Sequence, residues 1–137
     1  MNRDDFKQIA KIRLKEAKAL LSNGNYDGAY YLCGYVVECG LKACIAKKTK
    51  RYDFPDKKTV EDSYTHEIEK LIGVAGLKQD LQNEMKHNKQ FEVNWTVVKD
   101  WTEASRYERQ NDKKAHDLYS AIINRQNGVL KWIRQYW

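Results

Sequence analysis

The chain has 137 residues, 42% apolar and 32% charged, with 25 Lys and Arg against 19 Asp and Glu for a formal net charge of +6. That length and apolar content fit one globular domain, residues 1–137, with a real buried core, and they exclude a disordered chain. One Pro and seven Gly are too few for an all-β fold built on tight turns, while the basic excess leaves polyanionic partners open without requiring one.

Residues 3–22 read as the first helix. Phe6, Ala10, Leu14, Ala17 and Leu21 form one stripe with Ile9 and Leu20 beside it, and Ile12 falls off it. Ser22-Asn23-Gly24-Asn25 is a stop and turn so short that the next helix must return antiparallel. That second helix, Tyr26 to Lys48, is the centre of the chain. Ala29, Cys33, Val36, Gly40 and Ala43 make one apolar row and Tyr30, Gly34, Val37, Leu41 and Ile45 a second. A helix apolar nearly all round belongs inside a bundle. Asn25 or Asp27 can cap its start. Gly34 and Gly40 weaken it unless another backbone approaches closely there.

Thr49 to Tyr64 is charged, contains Pro55, and reads as an exposed loop that can hold one helical turn. Thr65 is expected to cap the next helix, whose face is Ile68, Leu71, Ile72 and Ala75 and whose stop is Gly76. Leu77, Leu81 and Met85 continue as a short helix to about Lys89. From Phe91 to Trp101 strand-like and helix-like spacings compete; with no second strand to pair with, a short helix capped by Asn94 is expected. A polar stretch, 102–112, leads to a last helix of about 113–136, with Asn127-Gly128 as a weak point that can kink or divide it. The fold class expected is therefore all-α, an up-and-down antiparallel bundle of four to five main helices plus short helical pieces.

Cys33, Cys39 and Cys44 share the central helix at spacings that do not converge on a metal, and read as reduced core thiols. No metal and no cofactor is expected. Asp4 and Asp5 interrupt the start, no apolar leader segment follows, and no run of about 18 apolar residues offers a membrane span, so a cytoplasmic protein is expected. Among the three scattered histidines, His87 reads as surface, and His66 as a first-turn residue at a helix start that can attract an anion. His116 follows Arg109 with six residues between them and, if Asn111 or Asp112 caps the last helix, lies one turn inside it. There Arg109 could hold a phosphate while the imidazole moves a proton to or from a ribose hydroxyl. Arg106-Tyr107 pairs a phosphate-binding guanidinium with a ring on which a base can stack; the competing reading packs Tyr107 on Trp101 and ties Arg106 in a structural ion pair. Glu38 and Lys42 are either an exposed i,i+4 pair or a partly buried acid facing Arg106 or a ligand.

Tyr30–Ala43 (YYLCGYVVECGLKA) resembles the characteristic helix of the HEPN superfamily, and Thr65-His66-Glu67-Ile68 resembles its Thr-His-Asp-Leu segment. Trp101 through Ser105-Arg106-Tyr107 and the closing Gly128-Val129-Leu130-Lys131-Trp132-Ile133 are also similar, in the family's order. The resemblance implies an all-α bundle that forms homodimers. It implies either a nucleotide- or RNA-binding module, often beside a minimal nucleotidyltransferase antitoxin, or a metal-independent ribonuclease toxin. A structural helper without a ligand is the third alternative. The family's ribonuclease motif is Arg, four to six residues, then His, which Arg109-Gln110 through His116 satisfies in spacing. Active members continue His-x-Tyr; here His116-Asp117-Leu118-Tyr119 is one residue longer, so modification of Tyr119 by the antitoxin falls outside the pattern. From the chemistry of the residues themselves, the nucleotide- or RNA-binding candidates are Arg106, Tyr107, Glu38 and His66.

Overall fold

The computed structural model describes residues 1–51 and 54–137, the side chains of residues 50 and 51 excepted. The described residues form helices only: α1 (Arg3–Ser22), α2 (Tyr26–Arg51), α3 (Lys57–Asp62), α4 (Ile68–Val74), α5 (Lys78–His87), α6 (Lys89–Lys99), a 310 turn (Glu103–Tyr107), α7 (Asp112–Ile123) and α8 (Val129–Arg134). The bundle is all-helical, as expected.

Helix α1 begins with a capping box, the Asn2 side chain accepting from Asp5 N and the Asp5 side chain from Asn2 N, each at 2.9 Å. Its stripe buries Ala10, Ala17 and Leu21, while Ile12 is exposed. Small residues on that stripe let α1 lie closely against α2, the most extensive helix pair in the molecule. Around α2 stand α1, α4, α7, α8 and the 310 turn. Both of its rows are buried, from Ala29, Cys33, Val36 and Ala43 to Tyr30, Val37, Leu41 and Ile45. Full burial of a side chain such as Leu41 contributes about 2 kcal/mol, so the central helix carries much of the core.

The two interior glycines are crowded, but by side chains rather than by the backbone expected there. A Cβ on Gly34 would fall 2.1 Å from the Trp101 indole, and one on Gly40 would fall 3.1 Å from Ile133 Cγ2. Each glycine is a notch that receives a large side chain.

Other boundaries moved, each for a local reason. Helix α2 continues past Lys48 to Arg51, and α3 supplies a full short helix, capped by Asp56 and burying none of its residues; residues 52–53, within the expected loop, lie outside the described residues. Helix α4 starts at Ile68 and not behind Thr65, because Thr65 Oγ1 spends its acceptor on Glu67 N in a turn. His66 therefore precedes the helix instead of occupying its first turn. Gly76 ends α4 as expected, at φ 73°, with Leu77 N donating to Ile72 O.

Helix α6 is a helix, but Asn88 caps it by accepting from Phe91 N, while Asn94 donates to Asn127 O. Phe91, Trp95 and Val98 face inward and Val93 is exposed, which rules out the strand alternation. The expected last helix is divided. Asn124 accepts from Gln126 N and Asn127 N in a tight turn, and Gly128 then starts α8. Helices α7 and α8 pack Leu118, Ile122, Val129 and Ile133 into the core, and Trp132 lies 5.5 Å from Phe91 between ring centres.

Candidate nucleic-acid interface

Trp101 closes α6 and lays its indole in the Gly34 notch, with the Tyr31 ring 6.1 Å away. Fixing Trp101 brings the following 310 turn across α2, where Ser105 is buried. One turn beyond Gly34 on α2 stands Glu38, 1% exposed, the only buried carboxylate among the described residues.

Glu38 is held from two sides. Lys42 Nζ donates to Glu38 Oε1 at 2.9 Å, and His66 Nδ1 lies 2.5 Å from the same oxygen. A buried carboxylate is tolerated because the Lys42 ammonium pairs with it and the His66 imidazole adds a second contact. The imidazole, partly exposed, turns its other nitrogen outward: His66 Nε2 is 3.4 Å from Glu103 Oε2 on the 310 turn. Glu103 Oε1 in turn lies 3.4 Å from Arg106 Nη2. Arg106 sits over the ring of Tyr107, 5.0 Å from guanidinium carbon to ring centre, and Tyr107 is 81% exposed. The adjacent Tyr107 side chain chiefly, against a smaller desolvation effect and with Glu103 adding to it, holds the Arg106 guanidinium above its ordinary pKa; like any guanidinium it is a cation at neutral pH.

Four of the residues singled out from the sequence, Glu38, His66, Arg106 and Tyr107, thus form one chain from the core to the surface. Neither sequence reading of Glu38 holds whole: it is buried rather than on an exposed strip, and it reaches Arg106 only through His66 and Glu103. Tyr107 does not pack on Trp101 but stands in solvent. The link that sequence reasoning missed is Glu103. Its i,i+3 spacing to Arg106 was the one visible signal, and nothing local announced its meeting with His66. Glu38 Oε2, Trp101 Nε1 and Ser105 Oγ are buried without a hydrogen-bond partner among the described residues, a feature that is rare in protein interiors.

Arg109 and His116 belong to the segment that follows the 310 turn and to the start of α7. Gln110 N donates to Asp27 Oδ1 at 2.5 Å, fastening the segment after the 310 turn to the start of α2, so Asp27 serves this contact. Glu38 is about 16 Å further along that helix at ~1.5 Å per residue. Asn111 caps α7 by accepting from Lys114 N, and His116 stands one turn in, as expected. Both Arg109 and His116 are exposed. His116 Nδ1 faces Asp112 O at 3.1 Å and also the Asp112 carboxylate, and its ring lies 6.2 Å from that of Tyr26. His87 is a surface residue with Nδ1 2.8 Å from Asn83 O.

The three thiols are free and buried. Burial pushes Cys33 and Cys44 up to about 12 and Cys39 to about 11, which leaves them protonated packing groups. Among the described residues, no group of three or more His, Cys, Asp and Glu is arranged to hold a metal ion, and no helix is long and apolar enough to cross a membrane.

The family model of the HEPN domain matches residues 4–136. No curated protein and no solved structure matches significantly. The matched span takes in α1 through α8, the Glu38–His66–Glu103–Arg106 chain and the Arg109–His116 segment alike, and the chain belongs to the HEPN family.

Proposed function

We propose that the protein is a nucleotide- or RNA-binding HEPN module whose ligand surface is the 310 turn, with Arg106 and Tyr107 as the contact residues. The observation that carries this reading is the exposed Tyr107 ring with the Arg106 guanidinium 5.0 Å above it, on a turn fastened to the core through Trp101 and Ser105. An exposed aromatic ring offers a face for a base whatever its identity, and the adjacent guanidinium offers paired donors for a phosphate. The net charge of +6 favours a polyanion. The module acts as a cytoplasmic homodimer and as one half of a pair with a nucleotidyltransferase antitoxin. Those parts rest on the likeness to HEPN chains encoded in that way.

Fluorescence anisotropy with a labelled single-stranded RNA of mixed sequence tests the reading. Binding should weaken with salt, and Arg106→Ala should lower the log–log salt slope by about one. RNA binding that survives loss of both Arg106 and Tyr107 would sink it. Light scattering tests the dimer.

The second reading, a metal-independent ribonuclease using Arg109 and His116, is favoured by one observation. His116 Nδ1 faces the Asp112 carbonyl and carboxylate, which leaves Nε2 as the nitrogen available for proton transfer. RNA incubated with the protein in EDTA, wild type beside His116→Ala, separates the two: cleavage lost only in the variant supports the enzyme.

A further inference from the structure

Glu103 touches two nitrogen-bearing side chains that come from different parts of the chain, the His66 imidazole before α4 and the Arg106 guanidinium on its own turn. One carboxylate oxygen faces each of them, at 3.4 Å in both cases. These contacts are long beside the 2.7–2.9 Å of a close charged hydrogen bond, and Glu103 is about a third exposed. Its partner His66, by contrast, is fixed from behind at 2.5 Å by the buried Glu38, itself held by Lys42. An anchored imidazole and a surface guanidinium thus converge on a loosely held acid, directly beside an exposed aromatic ring.

We infer that Glu103 is an internal stand-in for a phosphate. His66 Nε2 and Arg106 then form the subsite for the 5′-phosphate of a nucleotide whose base lies on Tyr107. The inference rests on the ligand reading above and adds His66 and the displaced acid to it. A phosphate carries more charge than a carboxylate and three oxygens with which to bridge the same two donors. Because an exposed ion pair is weakly held, Glu103 can rotate into water as the phosphate enters. Glu38 does not touch the ligand; it positions the imidazole so that Nε2 faces outward.

The arrangement has an unusual consequence: removing an acid tightens binding. Titrations of 5′-AMP and of adenosine against the intact chain test it. Glu103→Gln keeps the shape and removes the charge, and should tighten 5′-AMP by about fivefold while leaving adenosine unchanged. Glu103→Asp keeps the charge and should stay near wild type. His66→Ala should weaken 5′-AMP and not adenosine, and the His66 ring resonances of the wild type should move with 5′-AMP alone. If Arg106→Ala and Tyr107→Ala weaken 5′-AMP but Glu103→Gln does not tighten it, the stand-in is overturned and the binding surface survives. If neither nucleotide nor RNA binds any variant or the wild type, both fall. Circular dichroism and thermal unfolding of Glu103→Gln and His66→Ala verify that each folds.

Discussion

Two regions of this bundle offer a histidine and an arginine to solvent, and they are built in opposite ways. Around Glu38 the side chains are anchored inward: a buried acid, a lysine on the same helix and the imidazole it holds, and only then the surface arginine and tyrosine. At the start of α7, Arg109 and His116 are exposed residues; Gln110 N bonds Asp27 on α2, and among the described residues His116 meets α2 only through the Tyr26 ring, 6.2 Å away, with no buried charged group behind it. The first region couples its surface to the core; the second rests on it. Substitutions at the buried root of the first should therefore affect both stability and ligand binding and those at its exposed tip binding alone, whereas those at the second should affect chemistry alone or nothing.

That contrast can be broken most forcefully at Gly34. Any Cβ there collides with the Trp101 indole, so Gly34→Ala should destabilise the fold by about 3 kcal/mol in urea unfolding and weaken RNA binding as the 310 turn shifts. Unchanged stability would mean that the turn is not seated on α2. Next in size is Glu38→Gln, which removes the charge that Lys42 and His66 meet. A loss of about 2 kcal/mol is expected, because hydrogen bonds to a charged group are among the stronger ones. Tyr107→Ala should leave the melting temperature unchanged and weaken single-stranded RNA by about tenfold, the loss of one stacking face. The smallest effect is expected at His116→Ala, within about 0.5 kcal/mol of wild type in stability and unchanged in RNA affinity. Were that variant to lose RNA binding as well, the division between the two regions would fail.

How much of this could be read from the sequence follows physical lines. Helices α1 and α2 were legible because an apolar stripe repeated at helical spacing over about four turns, and Ile12, which breaks the stripe of α1, is indeed exposed. Caps were less legible. Thr65 and Asn94 look like caps in isolation, and competing partners, Glu67 N and Asn127 O, decide otherwise. Glu38, His66, Arg106 and Tyr107 could each be picked out as chemically unusual. Their assembly could not, since His66 and Glu103 are 37 residues apart in number and meet only because both lie against α2. Arg109 and His116 illustrate the opposite limit, a spacing that a sequence can satisfy whatever its surroundings.

Gly34 makes no contact through a side chain of its own, yet it determines the height at which the 310 turn stands above α2. The consequence is optical as well as steric. The indole filling that notch is buried at the root of the ligand turn, with Tyr31 beside it. Its emission should respond when the turn is loaded, which makes Trp101 a built-in reporter for occupancy at a surface it never reaches.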